Sequence, residues 1–253
     1  MTNTIVLQSH TSPLPFSWIQ ACLDSVKNWA SDNQFDYTFI GDELFDHIDE
    51  DLLKKLGRQI VIATDLARIR LLQAYLKQGY DTVVWCDADF LIFAPKDFKL
   101  SNDNFSLGRE VWIQYNEKSA REFTAKVKVH NAFMMYSQGN SFLDFYCDTA
   151  EHLLHLNTAN MPPQFIGPKL LTALHNIVHC PVAENAGMLS PLVIKDISYG
   201  SGSALDLYKK QSKYPTYAAN LCSSLYSLEL VSAKQMDGCI AQLLNKQNLL
   251  NIK

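Results

Sequence analysis

Residues 79–95 read GYDTVVWCDADFLIFAP, two apolar runs separated by a pair of aspartates. The first run, Thr82 to Cys86, is β-prone and lacks polar alternation, which is typical of a strand covered on both faces in a parallel sheet. It stops at Asp87 and Asp89, and a second apolar run, Phe90 to Phe93, follows. Packing does not require such an interruption. The stretch therefore predicts a central strand of an α/β domain that ends in two carboxylates.

The spacing of Asp87 and Asp89 points to a cation site. Two carboxylates this close repel each other unless a cation or hydrogen-bond donors compensate. Mg²⁺ or Mn²⁺ commonly binds one or two carboxylates and fills its other positions with substrate phosphate and water. In open α/β sheets, ligands bind beyond the carboxyl ends of the strands, where these residues are expected. The alternative is a strand-end turn in which both aspartates are merely solvated.

The composition restricts the class of protein. The chain has 253 residues, 47% of them hydrophobic, which is enough for the core of a single domain covering residues 1–253. A net charge of −4 argues against a nucleic-acid partner, because neutralising phosphates requires clustered Lys and Arg. The 6 cysteines form no Cys-x-x-Cys pair and indicate reduced thiols in a cytoplasmic protein. No transmembrane segment is expected, while the basic residues Lys209, Lys210 and Lys213 leave a peripheral membrane contact open.

The N-terminal part reads as a β-α-β unit. Thr4 to Leu7 is predicted to form a strand, Ser17 to Trp29 a helix and Phe35 to Ile40 a second strand. The polar residues that follow the first strand are Gln8, Ser9 and His10. The loop lacks the Gly-rich and Walker patterns, which argues against those two modes of phosphate binding.

The helix before the central strand carries a second pair of charged residues. Thr64 is a suitable N-cap for a helix from Asp65 to Gln78. Asp65 and Arg68 are three residues apart and share one face of it. Because this helix leads directly into the central strand, its N-terminal end is expected near the same cleft. The alternative is a first-turn acid that favours the helix dipole and pairs with Arg68.

The remaining elements are predicted from apolar spacing. The pattern favours a surface helix over Asp42 to Lys55 and another, capped by Asn140 or Ser141, over Phe142 to Leu156. Strands are predicted at Glu110 to Tyr115, at Val129 to Tyr136 and at Leu192 to Ile197.

Several landmarks together resemble glycosyltransferases of the GT-A fold that carry a DXD sugar-binding region. This group includes capsular and lipopolysaccharide enzymes, initiating mannosyltransferases and the glucosylating domains of clostridial toxins. The matching pieces, in chain order, are Ala63 to Arg68, Cys86 to Asp89, His130 to Phe133, and Gly167-Pro168 with Thr172. The resemblance implies an α/β fold with a Rossmann-like, mostly parallel central sheet flanked by helices.

The resemblance also implies roles for individual residues. Asp87 would contact ribose or donor sugar, and Asp89 would bind a metal that bridges the nucleotide diphosphate. Asp65 and Arg68 would contact donor-sugar hydroxyls, with Asn131 close to the same sugar. The predicted catalytic residues are Asp87, Asp89 and Asn131. The predicted donor-binding residues are Gln8, Ser9, His10, Asp65, Arg68, Asp87 and Ala88.

The sequence departs from the family pattern at the C-terminal side of the metal site. Where these families often have a histidine, this chain has Asn220, so the predicted metal ligands are Asp89, Asn220 and Ser223. Carbonyl oxygens of amides bind Mg²⁺ or Mn²⁺, which makes the replacement chemically reasonable. No tryptophan stands in the first loop to stack on the base, and Trp18 is the nearest candidate.

The leading hypothesis is a divalent-metal-dependent transferase that uses Mn²⁺ or Mg²⁺. It would move a hexose from a nucleoside diphosphate sugar, with UDP favoured, to a saccharide, a glycolipid or another hydroxyl acceptor. The resemblance favours retention of the anomeric configuration and a role in polysaccharide biosynthesis. The main alternative is a catalytically inactive protein of the same fold that binds nucleotide sugars or saccharides. A phosphatase that uses Asp-x-Asp is a third hypothesis, disfavoured because Phe90 and Leu91 follow the pair deep in the chain.

Overall fold

The protein is described by a computed structural model covering residues 3–157 and 160–251, with the backbone alone at 120, 121 and 227. The predicted single domain of 1–253 also includes residues 1–2, 158–159 and 252–253, which lie outside the described residues. The strands are β1 Thr4–Ser9, β2 Asp36–Ile40, β3 Thr82–Cys86, β4 Phe90–Ile92, β5 Phe105–Asn116, β6 Ser119–Ser137, β7 Val182–Ala183, β8 Ala186–Met188 and β9 Ala218–Asn220.

The helices lie between these strands and after them. They are α1 Trp18–Asp32, α2 Glu50–Leu56, α3 Ile60–Lys77, α4 Ser141–Leu156, α5 Leu170–Val178, α6 Pro191–Tyr199, α7 Ser203–Gln211, α8 Ser223–Ser227 and α9 Ala233–Asn245. A 3-10 helix spans Asp42–His47, and a π-helical turn spans Phe165–Lys169. Within the described ranges, no helix is long and apolar enough to cross a membrane.

The main sheet has six strands in the order β2-β1-β3-β6-β5-β7. β1 runs parallel to β2 and β3, β6 is antiparallel to β3 and β5, and β7 is parallel to β5. All strands except β6 therefore point the same way. The predicted α/β class with a mostly parallel sheet flanked by helices is confirmed.

β3 lies inside this sheet, between β1 and β6. Val83, Val84, Trp85 and Cys86 are all buried, as expected for a strand covered on both faces. The predicted bounds Thr82 to Cys86 are those of the structure. The strand ends at the cleft described below, so its last residues set the position of Asp87.

A second, three-stranded sheet has the order β4-β9-β8. β4 begins one residue after Asp89 and pairs antiparallel with β9, with Phe90 opposite Asn220. The backbone N–H of Leu221 also donates to the Asp89 carbonyl at 3.0 Å. This small sheet brings the C-terminal part of the chain beside the aspartate pair.

One predicted helix start and one predicted strand are wrong. α3 begins at Ile60, and the Thr64 hydroxyl, predicted as a cap, donates to the Ile60 carbonyl inside the helix at 2.9 Å. Leu192 to Ile197 belongs to α6, because a short apolar run fits a strand and a buried helix face equally well. Pro191 stands at the first position of α6, where proline needs no backbone donor, and Gly200 ends the helix with φ 85°.

The predicted helix from Asp42 to Lys55 is divided in two. A 3-10 helix ends at His47, and α2 then begins after Asp49, whose carboxylate accepts from the N–H groups of Asp51 and Leu52. Asp49 thus supplies the N-cap of a new helix, a signal that the apolar spacing alone did not reveal. The predicted N-cap of α4 is confirmed, since the Asn140 side chain accepts from Leu143 N at 3.0 Å.

Candidate functional site

A cleft of about 680 Å³ opens beyond the carboxyl ends of β1 and β3. Its volume lies within the range of small-molecule sites, about 300–1,000 Å³. The predicted site residues that line it are Ser9, His10, Asp65, Arg68, Asp87, Ala88, Asp89, Asn131, Asn220 and Ser223. Gln8 does not line it. Gln8 is buried, donates to the Asp87 carbonyl at 3.1 Å and accepts from the Tyr37 hydroxyl, so it supports the site from behind.

Asp87 is held firmly at the end of β3. Its backbone N–H donates to the Ala132 carbonyl of β6 at 2.8 Å. Its Oδ1 accepts from Trp85 Nε1 at 2.6 Å and lies 3.1 Å from Arg68 Nη1. Burial raises the pKa of Asp87, and the Arg68 guanidinium opposes that rise. The Asp87 side chain remains about 25% exposed, so it faces both the Arg68 guanidinium and the cleft.

A buried polar cluster, formed by Asp65, Arg68 and Asn131, lies beside Asp87. Asn131 Nδ2 donates to Asp65 Oδ1 at 2.8 Å, and Arg68 Nη1 donates to the Asn131 carbonyl at 3.0 Å. Arg68 Nη2 is 3.5 Å from Asp65 Oδ1, and the guanidinium carbon lies 5.0 Å from the Trp85 ring centroid. Arg68 therefore pairs with two carboxylates, those of Asp65 and Asp87. It also stacks on the ring of Trp85, in the strand that leads to Asp87.

Asp65 has an oxygen without a partner. Its Oδ2 is buried and receives no hydrogen bond from any residue that the structure describes. Burial raises the pKa of Asp65 to about 6, while Arg68 and the Asn131 amide lower it. Gly167, in the π-helical turn, passes so close that a Cβ there would collide with Asp65 Oδ2 and crowd Asn131 Nδ2. A buried acceptor left open beside a cleft is costly unless a ligand supplies the donor.

Asp65 and Arg68 lie in the second and third turns of α3, not at its N-terminal end as predicted, because the helix starts at Ile60. The helix dipole therefore does not explain the acid, since that effect is confined to the first turn. The predicted shared face is confirmed, as both side chains meet Asn131. The two charges are brought into the cleft by the side of the helix.

Asp89 is held by the C-terminal part of the chain. Asn220 Nδ2 donates to Asp89 Oδ1 at 2.6 Å, and the Ser223 backbone N–H donates to Asp89 Oδ2 at 2.6 Å. The Asn220 oxygen accepts from Cys222 N at 2.8 Å, which fixes which way the amide faces. In this arrangement the Asn220 nitrogen, and not its oxygen, faces Asp89, and the use of Asn220 as a metal ligand stays a prediction. Asn220 and Ser223 orient the carboxylate by donating to it.

The donor set fits a cation only in part. Among residues 3–157 and 160–251, no group of three or more His, Cys, Asp or Glu side chains is arranged to hold a metal ion. Asp87 Oδ2 accepts no hydrogen bond from the described residues, and each Asp89 oxygen accepts one, which leaves lone pairs on both carboxylates. Two carboxylates suit Mg²⁺ or Mn²⁺ when a substrate phosphate and water complete the coordination.

Two residues singled out in the sequence lie outside the cleft. Trp18 is 6% exposed and packs against Phe16 and Tyr226, so the structure does not place it for stacking on a base. His130 is fully buried, and burial lowers its pKa to about 4. Its Nδ1 accepts from Ala132 N at 3.1 Å, so its Nε2 carries the proton and faces the Ala186 carbonyl at 3.2 Å. His130 is a neutral residue of the core.

The sequence reasoning missed one wall of the cleft. It is formed by the β5–β6 hairpin, whose lining residues are Glu110, Trp112, Gln114, Lys126 and Lys128. The signal was present in the strand itself, where Val111 and Ile113 alternate with polar residues or tryptophan. Val111 and Ile113 face the core, so the alternating residues face the cleft.

Comparisons with known proteins concern the fold. No protein-family model matches the chain, and no curated protein matches it. A glycosyltransferase involved in the glycosylation of the major capsid of PBCV-1 superposes with a TM-score of 0.48 at 10% identity, covering 93% of this chain and 98% of that one. The galactosyltransferase LgtC, in complex with donor and acceptor sugar analogs, gives 0.44 at 13%, covering 86% and 87%.

A third similar structure is the apo-form glycosyltransferase GlyE of Streptococcus pneumoniae TIGR4, with a TM-score of 0.38 at 11% identity, covering 97% of this chain and 64% of that one. All three are glycosyltransferases, the class that the sequence motifs resemble. At these identities and TM-scores the matches assign no activity to the chain. Its function is argued below from the residues of the cleft.

Proposed function

We propose that this protein transfers a hexose from a nucleoside diphosphate sugar, UDP-linked by preference, to a hydroxyl group of a saccharide or glycolipid. The observation that carries this proposal is the meeting of two charged groups of residues in one cleft. Asp87 and Asp89 end the central strand, and the buried cluster of Asp65, Arg68 and Asn131 lies directly beside them. The first group suits a diphosphate with its cation, and the second suits a polyhydroxylated ring.

The buried cluster is proposed to hold the donor sugar. Asp65 Oδ2 lacks a donor within the described chain, and a sugar hydroxyl supplies one. Arg68 and Asn131 fix the opposite side of that carboxylate, so it stays in place when the sugar arrives. A hydrogen bond to a charged group contributes about 1.5–3 kcal/mol, enough to select a hydroxyl of one orientation.

The aspartate pair is proposed to hold Mn²⁺ or Mg²⁺ together with the diphosphate. Asp87 Oδ2 and the free lone pairs of Asp89 would be the protein's ligands, and Asn220 and Ser223 would hold the Asp89 carboxylate in place by donating to it. A bound cation stabilises the negative charge that develops on a departing diphosphate. Within residues 3–157 and 160–251 these two carboxylates are the proposed ligands, so we expect Mn²⁺ to bind tightly when a nucleoside diphosphate is also present.

Transfer requires one bond to break and one to form. The bond between the anomeric carbon and the diphosphate oxygen breaks, and the electron pair leaves with the nucleoside diphosphate. The acceptor oxygen bonds to the anomeric carbon, and its hydroxyl proton passes to the departing diphosphate or to water. The cleft residues hold the two reactants in contact, which replaces an encounter between free molecules by a reaction within one complex. We also propose that the anomeric configuration is retained and that the protein is cytoplasmic, the latter because its six cysteines are buried and free.

A protein that binds the nucleotide sugar without turnover is the second candidate. It is favoured by the Asn220 amide, which presents its nitrogen to Asp89, because an amide nitrogen is not a metal ligand. The two functions differ in one observable. A transferase releases free nucleoside diphosphate from the donor, whereas a binding protein returns the donor intact.

The test uses Asp89→Ala in the purified protein with UDP-glucose, UDP-galactose and GDP-mannose as donors and Mn²⁺ as the cation. We expect the wild type to release nucleoside diphosphate from at least one donor and the variant to lose both release and Mn²⁺-dependent nucleotide binding. Asp97→Ala is the matched control, because Asp97 is exposed and lies outside the cleft lining. Undiminished release by a folded Asp89→Ala protein would refute the assignment, and binding without release by the wild type would favour the second candidate.

A further inference from the structure

The β5–β6 hairpin presents a mixed aromatic and polar face to the cleft, opposite the core-facing Val111 and Ile113. In register, Glu110 is paired with Lys128, Trp112 with Lys126 and Gln114 with Thr124. On an antiparallel pair, residues directly opposite each other stand side by side on one face. The cleft therefore has a continuous wall with one ring, one carboxylate, one amide and two ammonium groups.

Trp112 is the tryptophan available to a ligand on this wall. The chain has 4 tryptophans, and Trp18, Trp29 and Trp85 are 6%, 1% and 1% exposed. Trp112 is half-buried and lines the cleft. No aromatic ring or cation among the described side chains stacks on it, which leaves the ring available to a ligand in the cleft. A flat ring of this kind offers apolar area to the C–H face of a sugar.

Glu110 is a buried carboxylate with open acceptor positions. Its side chain is 11% exposed, and within the described part of the chain its charged partner is Lys128, with 3.9 Å between Nζ and Oε1. That distance exceeds a hydrogen bond, and no described donor lies closer to the carboxylate. Burial raises the pKa of Glu110, and Lys128 opposes the rise. Glu110 lines the cleft, so its carboxylate oxygens can accept hydrogen bonds from a ligand there.

Donor binding does not use this wall. The proposed donor contacts come from α3, from the end of β3 and from Asn131 at the inner part of β6. Glu110 and Trp112 lie further along the same hairpin and line the same cavity. The cavity thus has a second set of contacts suited to a second sugar.

We propose that this hairpin wall is the acceptor subsite and that it takes a saccharide. One pyranose ring stacks on Trp112, and a hydroxyl of that ring or its neighbour donates to Glu110. Gln114 and the two lysines supply hydrogen bonds to further hydroxyl groups. The assignment rests on the proposed transferase function and names the residues that select its acceptor.

The test separates transfer to a sugar from transfer to water. Glu110→Gln and Trp112→Ala are compared with the wild type in donor hydrolysis, using UDP-glucose with Mn²⁺, and in binding to an array of immobilised oligosaccharides. Tyr115→Ala is the matched control, because Tyr115 is an exposed aromatic of the same hairpin that does not line the cleft. Circular dichroism and thermal melting show that each variant is folded.

We expect both variants to lose glycan binding and glycan-dependent transfer by roughly tenfold or more, as for a lost charged hydrogen bond or aromatic anchor. Donor hydrolysis should stay within about twofold of the wild type. If the donor site were damaged, donor hydrolysis and glycan-dependent transfer would instead fall by the same factor. Wild-type levels of glycan binding in both variants, or a wild type that binds no glycan, would overturn the subsite. A wild type that hydrolyses no donor would instead count against the transferase function, and glycan binding would still decide the subsite.

Discussion

Exchanging Asn220 for aspartate tests how the aspartate pair is held. In the wild type, the Asn220 nitrogen donates to Asp89 Oδ1 at 2.6 Å, and its oxygen accepts from Cys222 N. Asn220→Asp keeps the size of the side chain and the bond from Cys222. It replaces the donor that faces Asp89 with a carboxylate oxygen. Both residues are buried, Asn220 to 3% and Asp89 to 8% exposure.

The expected loss of stability has two parts. The charge-assisted hydrogen bond that disappears contributes about 1.5–3 kcal/mol. Two like charges about 4 Å apart then repel by about 4 kcal/mol at an effective dielectric constant near 20. Protonation and small shifts relieve part of this repulsion, so we expect the free energy of unfolding to fall by about 3–5 kcal/mol. For a chain of this length, that corresponds to a melting point lower by roughly 10 °C.

A divalent cation should reverse the loss. Asp87, Asp89 and an aspartate at position 220 together would give Mn²⁺ three carboxylate ligands without help from a nucleotide. At about 100 times its dissociation constant, a ligand that binds only the folded state stabilises by about 2.7 kcal/mol. Differential scanning fluorimetry in EDTA and in Mn²⁺ measures both effects.

A control substitution at Asn185 separates the effect of the added charge from that of its position. Asn185→Asp adds the same charge at a partly exposed position outside the cleft lining, where the amide donates to the Lys99 carbonyl, and we expect a smaller change there. The reasoning fails if Asn220→Asp melts with the wild type in EDTA. It also fails if Mn²⁺ alone raises the melting point of the wild type as much as that of Asn220→Asp, since the wild-type site would then be complete.

Two further predictions concern buried groups near the cleft. The pKa of Asp65 is about 6 in the folded protein against an ordinary value of 3.8, so unfolding releases a proton between these values. Its contribution to stability is present below about pH 4 and lost by about pH 6, so the stability of Asp65→Asn relative to the wild type should rise across that window by at most about 3 kcal/mol. Urea unfolding at pH 4.5 and 7.5 measures it, and an equal difference at both values would contradict it. Gly108→Ala should lower the free energy of unfolding by about 3 kcal/mol, because the added methyl group collides with the buried His130 ring on the paired strand. A melting point unchanged by this substitution would show that the strands can separate at no cost.

The central strand was predictable because two sequence signals agree: a continuous apolar run and the pair of aspartates that ends it. Thr82 to Cys86 is continuously apolar, and the structure covers it on both faces between β1 and β6. The aspartates that follow were predicted at the cleft for the same reason, since the end of an inner strand opens there. The cap of α4 at Asn140 was equally local, because a side chain three residues from its partner is visible in sequence.

The errors arise where tertiary contacts overrule local preference. Thr64 is a good cap by composition, yet α3 starts five residues before the predicted first residue, Asp65. It exposes Ile60 and Val61 at the cleft, 54% and 49%. The apolar run Leu192 to Ile197 carries no period that separates a strand from a buried helix. Neither error changes the candidate site, because Asp65 and Arg68 share one helix face with the predicted bounds of α3 and with the observed ones.

The roles of Asn220 and the hairpin wall depend on contacts between distant parts of the chain. Asn220 and Asp89 are 131 positions apart, and only their geometry shows that the amide nitrogen, not its oxygen, faces the carboxylate. Glu110 and Trp112 alternate with core residues, but the alternation does not say which cavity the polar face meets. The register of the hairpin with the central sheet supplies that information.

The two aspartates, separated by Ala88 alone, are fastened to different sheets. Asp87 is joined through its backbone to β6 of the large sheet, whereas Asp89 is joined to Leu221 and Ser223, just beyond β9 of the small one. A molecule that touches both carboxylates at once consequently acts as a cross-link between the two halves of the scaffold. Binding of such a molecule would stabilise the contact between the two sheets, and therefore between the N-terminal and C-terminal parts of the chain, well beyond the cleft.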